Sequence, residues 1–132
     1  MNHFRQSLLV AFWLAAATLW AGCGAAPPRI VIEPARQELG EVPQQLIELT
    51  FTVRNEGGSP LTIQKISTSC DCTKAEISLD EIPAGGTAEL RVSLDPLEDH
   101  LYGSITRVVY IRSNDPEQPE AQAKFHALIQ GP

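Results

Sequence analysis

The sequence predicts an all-β domain, an antiparallel β-sandwich of about seven strands behind an export signal. Short segments alternate apolar and polar residues with the two-residue period of a half-buried strand. Clusters of Gly, Pro, Asn and Asp separate these segments. After residue 22 no segment keeps a helical apolar period over three turns. Short strands divided by frequent turns are typical of a sandwich, and the unequal segment lengths favour it over a barrel.

Residues 1–22 predict a signal peptide. Arg5 forms a short positive region, and residues 8–21 are apolar except for Thr18. This run is shorter than the about 20 residues of a membrane-spanning helix and has the length of a signal-peptide core.

The signal leads through Ala-Gly into Cys23 and resembles a bacterial lipobox, in which the cysteine becomes the first residue and carries lipid. Cys23 is therefore the predicted lipidation site. Trp20 departs from the pattern, which usually has an aliphatic residue there. The alternative is an ordinary signal peptide cleaved near Gly24 or Ala26.

We divide the chain into the signal at 1–22, a tether at 23–29 and one domain at 30–132, which is long enough for a single core. The whole sequence has ten Lys and Arg against 16 Asp and Glu. Arg5 leaves with the signal, so nine remain and the mature charge is 9 − 16 = −7. Without a basic cluster, we expect no nucleic-acid partner.

The first half of the domain predicts two strands. Residues 29–33 form the first, which Pro34 ends because proline cannot donate to a ladder. Residues 39–43 suggest a crossing segment with a bend at Gly40. Residues 47–54 alternate apolar and polar side chains and predict the second strand.

Residues 55–60, Asn-Glu-Gly-Gly-Ser-Pro, predict a turn. Its two glycines can adopt positive φ, and Asn55 tolerates the left-handed region. The strand that follows from residue 61 changes parity before Ile66. A β-bulge at residues 64–65 would return Ile66 to the core side.

The second half alternates at residues 75–79, turns at 82–86 and forms its clearest strand at 88–94. Residues 105–112 predict a strand that is apolar on both faces, and residues 123–129 predict the last one. The side chains expected to point inward between the sheets are Leu49, Phe51, Val53, Leu61, Ile63, Leu90, Val92, Leu94, Phe125 and Ile129.

Three pieces of the sequence resemble one bacterial family. They are residues 39–42 followed by 51–57, residues 60–63 leading to Ser-Cys-Asp-Cys-Thr at 69–73, and Ile-Arg-Ser-Asn-Asp-Pro at 111–116. Together they look like the "domain of unknown function 1573" family, which is related to the Hydin and abnormal-spindle immunoglobulin-like domains. The family usually has Gly at the position of Asp71. The resemblance implies an immunoglobulin-like sandwich over about residues 30–130 and no enzymatic activity.

Cys70 and Cys72 form the one cysteine pair of the predicted mature domain, and an exported protein enters an oxidising compartment. In a regular strand they would share a face about 6.6 Å apart, close to the upper limit for a disulfide. A disulfide therefore requires the backbone to curl at Asp71. Three roles remain open: a structural pair, a redox-active disulfide, and a site for a soft metal such as Cu(I).

Catalytic patterns are missing from the sequence. His100 and His126 are the only histidines after the signal, and we expect His126 on the outward face of the last strand and His100 in a loop beside Asp99. No phosphate-binding loop or His-x-x-x-His spacing occurs. We predict a non-enzyme without a cofactor, copper at Cys70 and Cys72 being the alternative.

We therefore expect a non-enzymatic envelope lipoprotein that faces away from the cytoplasm and acts as a protein-binding or scaffolding module. Its expected partners are the membrane, through lipid on Cys23, and another envelope protein. Gly24 rather than Asp follows the lipidated cysteine, which favours the outer membrane in a Gram-negative cell. The alternative is a metal-binding or thiol-redox module that uses Cys70 and Cys72.

Overall fold

The computed structural model of the protein describes residues 24–131. The predicted signal peptide and Cys23 lie outside these residues. Within them the chain forms nine strands and no helix, and so no described helix is long and apolar enough to cross a membrane. The strands are β1 (Ile30–Glu33), β2 (Arg36–Val42), β3 (Ile47–Asn55), β4 (Leu61–Thr68), β5 (Thr73–Ile77), β6 (Glu81–Ile82), β7 (Thr87–Leu94), β8 (Gly103–Ser113) and β9 (Glu120–Ile129).

The strands form two stacked sheets, which confirms the predicted β-sandwich. The first sheet has the order β1-β3-β7-β5, and the second has the order β2-β9-β8-β4-β6. The expected number of seven strands is too low. The crossing segment is in fact part of strand β2. The short strand β6 consists of Glu81 and of Ile82, which is the first residue of the predicted turn at 82–86.

One strand pair departs from the predicted antiparallel arrangement, because β2 lies parallel to β9. β1 and β2 are consecutive but belong to different sheets, so the chain crosses the sandwich at Pro34 and Ala35. The register of β2 shifts between Glu38 and Glu41. Gly40, which has a φ of 67°, lies within this shift and provides the predicted bend.

The core lies between the two sheets, and most of the predicted inward residues are buried there. Phe51 and Phe125 are its largest side chains and are 0% and 1% exposed. Leu49 and Ile63 pack against the core but are only partly buried. The predicted bulge in β4 is confirmed by a register shift between Ile63 and Lys65.

Loops group at the two ends of the sandwich. The tether end contains residues 24–29 and the turns 56–60, 83–86 and 114–119, because β1 begins opposite Asn55. The disulfide end contains the loops at 43–46, 69–72 and 95–102, because β3 begins and β7 ends there.

Asn55 has a different role from the one predicted. Its side chain is fully buried, and its backbone does not have positive φ. Oδ1 accepts the N–H groups of Arg29 and Gly57 at 3.2 and 3.0 Å. Nδ2 donates to the carbonyl groups of Ser59 and Ile82 at 2.8 and 3.0 Å. Asn55 thus satisfies partly or fully buried backbone groups on three segments of the tether end.

The two glycines of the 55–60 turn also differ from expectation, since neither has positive φ. Gly57 is required because a larger residue would not fit: a Cβ atom there would lie 2.1 Å from the carbonyl oxygen of Pro27. Ser59 Oγ donates to the carbonyl oxygen of Ala26 at 2.6 Å, and Pro28 is buried. The predicted tether therefore packs against the domain from Ala26 onward.

Asp115 is a second buried polar group at the tether end, 2% exposed. Its carboxylate accepts the backbone N–H groups of Ile30, Glu117 and Gln118 at 2.9, 2.8 and 3.1 Å. Burial alone would raise the pKa of Asp115, but these N–H groups, together with Arg29, hold that pKa below its usual value. The Asn-Asp-Pro piece of the family resemblance therefore connects the β8–β9 loop to the first strand.

Candidate functional site

Cys70 and Cys72 are joined by a disulfide, with their Cα atoms 5.1 Å apart. The backbone curls at Asp71, as a disulfide at this spacing requires. The N–H of Thr73 donates to the carbonyl oxygen of Cys70 at 3.1 Å and closes a turn. Thr68 Oγ1 lies 2.8 Å from the same oxygen. This disulfide turn links β4 of the second sheet to β5 of the first.

Both sulfur atoms have polar neighbours. The N–H of Cys72 donates to Cys70 Sγ at 3.2 Å. Cys72 Sγ lies 3.7 Å from Thr73 Oγ1. Each cysteine is partly buried, and Cys72 also lines an open cavity of about 160 Å³ together with Asp71 and Lys74.

β5 is an edge strand whose outer backbone groups face no other described strand. The N–H of Ser78 donates to the carbonyl of Glu89 on β7, whereas the N–H of Thr73 donates away from β7 to Cys70. Because strand residues alternate in direction, the N–H and C=O groups of Ala75 and Ile77 also point away from β7. Within residues 24–131 these four groups have no backbone partner.

A row of apolar side chains accompanies this edge. Ala75 and Ile77 are partly buried against the core, and Leu79 beyond them is 46% exposed. On the facing sheet, Ile63 and Ile66 of β4 are also partly buried against the core. We call this strip, with the outer backbone of β5, the β5 edge.

The other described sheet edges are better protected. In β1 the N–H of Ile30 is bound by Asp115, and Pro34 follows the strand. β6 has two residues, and β2 is irregular near Gly40. Such devices prevent unwanted strand pairing. β5 is regular and contains no proline, so the exposed charges of Lys74 and Glu76 are its main protection.

Three side chains on the outer face of the second sheet are arranged like a Ser-His-acid triad. Ser104 Oγ lies 2.9 Å from His126 Nε2, and His126 Nδ1 lies 3.0 Å from a carboxylate oxygen of Glu38. Hydrogen bonding to Arg36 is the main reason that the pKa of Glu38 is lowered, and His126 adds to it. His126 faces outward as predicted. Its two partners could not be predicted from the sequence, because they lie on the neighbouring strands β2 and β8.

The remaining predicted site residues are separate from this group. His100 is exposed in the β7–β8 loop with a φ of 53°. Residues 24–131 contain no group of three or more His, Cys, Asp or Glu placed to hold a metal ion. The absence of a cofactor stays a prediction, as does its alternative, a soft metal at Cys70 and Cys72.

The sequence profile described as "Protein of unknown function (DUF1573)" matches residues 30–127. A comparison with curated proteins yields no match. Among solved structures, a protein of unknown function from Porphyromonas gingivalis W83 superposes with a TM-score of 0.71 and 24% identity. The match covers 79% of this chain and 48% of that one, so this chain spans about half the length of that neighbour.

Two further neighbours share the fold at lower identity. A PapD-like (ASH) domain of human CEP192 has a TM-score of 0.59 and 8% identity, covering 80% of this chain and 88% of that one. The YadV chaperone has a TM-score of 0.58 and 14% identity, covering 77% and 52%. Two Vibrio cholerae proteases, VesB and VesC, also match, at 13% and 12% identity. At these identities the likeness concerns the fold alone.

Proposed function

Since this chain belongs to the DUF1573 family, whose function is unknown, we propose a role from its geometry. The domain is a non-enzymatic protein-binding module that accepts an extended segment of its partner at the β5 edge. The observation that carries this proposal is the set of four outward backbone groups on Ala75 and Ile77 beside an apolar strip. In strand addition, backbone hydrogen bonds give affinity and alternate side chains give specificity.

The fold neighbours support a binding role in general terms. One is a chaperone, and another is a PapD-like domain. Those likenesses do not identify a binding surface on this chain. The proposal places that surface at the β5 edge and specifies strand addition as the mode of binding. A partner strand would also cover Ile77 and Leu79, which are left partly or largely exposed.

The module acts in the cell envelope, anchored by lipid on Cys23. This part of the proposal rests on the apolar run at 8–21 and the lipobox-like residues before Cys23. The described tether is compatible with it, because Ala26 and Pro27 pack at one end of the sandwich and the chain before them starts from that end.

The Ser104–His126–Glu38 group does not make the module a hydrolase in this proposal. A serine hydrolase also needs donors aimed at a developing oxyanion. On the face of a sheet the backbone N–H groups lie in the plane of the strands, away from the side chains. Glu38 is 56% exposed, so water reaches its carboxylate. We expect Ser104→Ala and the wild type to hydrolyse p-nitrophenyl acetate equally.

A photo-crosslinking experiment tests binding at the β5 edge. A photoreactive residue replaces Glu76, which is exposed on β5, in the full-length protein in cells. The matched control replaces Gln122, which is exposed on β9. We expect a protein adduct from position 76 and none of the same mass from position 122.

The variant Ala75→Pro then tests the mechanism. It removes an N–H that points away from β7, at an edge position where proline is tolerated. We expect the adduct from position 76 to disappear while the melting temperature changes little. An adduct that persists in a folded Ala75→Pro protein would contradict strand addition.

A further inference from the structure

We propose that the Cys70–Cys72 disulfide is a thiol–disulfide exchange site that oxidises a dithiol carried on a basic segment of another protein. This activity goes beyond the proposed binding function and does not require β5 to accept a strand. It is carried by the hydrogen bonds of the two sulfur atoms and by the cavity beside one of them.

The surroundings of the two sulfur atoms are unequal. Cys70 Sγ accepts the N–H of Cys72 at 3.2 Å, so a thiolate on Cys70 would keep a backbone donor. Cys72 packs partly against the core and also lines the open cavity at the disulfide end. We assign the attack to Cys72 because this cavity gives a path for an incoming thiol and because the backbone donor makes Cys70 the better leaving group.

Charge around this cavity selects the substrate. Four carboxylates line it, on Asp71, Asp95, Glu98 and Asp99, against the single ammonium of Lys74. An approaching thiolate would be repelled by this net negative charge, whereas Lys or Arg residues beside the thiol would be attracted. The same basic residues would stabilise the attacking thiolate.

The exchange takes two steps. A partner thiolate attacks Cys72 Sγ, the Cys70–Cys72 bond breaks, and its electron pair stays on Cys70 as a thiolate. The second partner thiolate then attacks the partner's own sulfur in the mixed disulfide and releases Cys72 as a thiolate. The partner dithiol is oxidised to a disulfide, the protein pair is reduced by two electrons, and the two protons of the dithiol pass through solvent to the two protein thiolates.

Exchange with short peptides tests the site in the oxidised full-length protein in detergent. Two peptides share one Cys-x-x-Cys core and carry either Lys or Glu on both sides. Each rate is divided by the rate of the same peptide with the neutral disulfide of mercaptoethanol, which removes differences in intrinsic reactivity. Acid quenching, alkylation and mass spectrometry measure the reduced pair.

We expect the basic peptide to react roughly tenfold faster or more after this correction at low salt, and the ratio to fall at high salt. The variant Glu98→Gln/Asp99→Asn should lower the ratio. Its matched control, Glu117→Gln/Glu120→Gln, makes the same charge change at exposed positions near the tether end and should keep the ratio. An equal rate for the two peptides, or a pair that neither reduces, would overturn the proposal.

A peptide with one cysteine tests which sulfur is attacked. The mixed disulfide is trapped by acid and located by fragmentation. We expect it on Cys72. A mixed disulfide on Cys70, or equal amounts on both, would overturn the assigned direction of the exchange.

Discussion

At the residue scale, Asn55 joins the residue before β1, its own turn and the end of β6 through one buried side chain. Asn55→Ala would leave the N–H groups of Arg29 and Gly57 and two carbonyl groups without these partners. An unpaired buried polar group costs about 1–3 kcal/mol. We expect the free energy of unfolding to fall by about 2–4 kcal/mol, measured by urea denaturation.

Asn114→Ala is the matched control, because it makes the same chemical change at an exposed position. Asn114 accepts the N–H of Thr62 at 2.8 Å and donates to the carbonyl of Pro60 at 3.2 Å. Water can replace both partners, so we expect a loss of about 1 kcal/mol or less. Equal losses for the two variants would mean that burial of Asn55 is unimportant.

Asp115 predicts how stability depends on pH. Its folded-state pKa is lowered despite burial, because three backbone N–H groups bind the charged form. A group with a lowered folded pKa contributes stability above its unfolded pKa, and that contribution is lost as the pH falls through the folded pKa. We expect the melting temperature to fall on acidification below the ordinary Asp range.

Asp115→Asn is the test of this assignment. An amide has one acceptor oxygen and cannot carry the charge, so the variant should be less stable than the wild type at pH 7. Its melting temperature should then depend less on pH in the acidic range. Parallel curves for the two proteins would show that other carboxylates cause the acid sensitivity.

At the element scale, the disulfide turn closes a loop of only three residues. In the chain-entropy treatment such a loop contributes about 1.6 kcal/mol, against about 3 kcal/mol for a 15-residue loop. We expect Cys70→Ser/Cys72→Ser to lower the free energy of unfolding by about 1–2 kcal/mol, measured by urea denaturation, while the far-ultraviolet circular dichroism stays unchanged. A loss of the sandwich would show that the pair is mainly a structural brace.

Strands with alternating apolar and polar side chains can be predicted from the sequence. A strand that is defined mainly by its pairing with a distant strand cannot. β3, β7 and β9 are recognisable because one face of each enters the core. β2 is not, since its residues are exposed or only half-buried and its pairing with β9 joins distant parts of the chain. The sequence predicts that Gly57 lies in a turn. It cannot predict that a larger residue would collide with the backbone of Pro27, because that contact is known only from the structure.

The candidate site shows the same division. Cys70 and Cys72 are evident in the sequence, as is the requirement for a bend between them. The open edge of β5 is not, because its outer backbone groups are known only once the strand order is known. Likewise Glu38, Ser104 and His126 come together through the parallel β2–β9 pair and the β8–β9 register.

At the scale of the whole molecule, the variant Cys23→Ser tests whether lipid on Cys23 anchors the protein to a membrane. Each buried CH₂ of a lipid chain contributes about 0.8 kcal/mol, so several chains hold a protein firmly at a membrane. We expect the variant to appear in the soluble fraction or as an unprocessed precursor. Cys70→Ser/Cys72→Ser is the control and should stay in the membrane fraction. Identical fractionation and migration of wild type and Cys23→Ser would disprove lipidation.

The packing of Ala26 and Pro27 on the 56–60 turn limits how far the domain can lie from a lipid on Cys23. Under the proposed anchorage only two or three residues separate the lipid from a rigid body. β8 has 11 residues and runs along the sandwich from the disulfide end to the tether end, a span of about 35 Å. The tether end would then stay close to the bilayer surface, and the length of the sandwich would set the greatest height of Cys72 above it at some tens of ångströms. Proteins that rise from the membrane by no more than this height would be within reach of Cys72, whereas groups farther from that membrane would not.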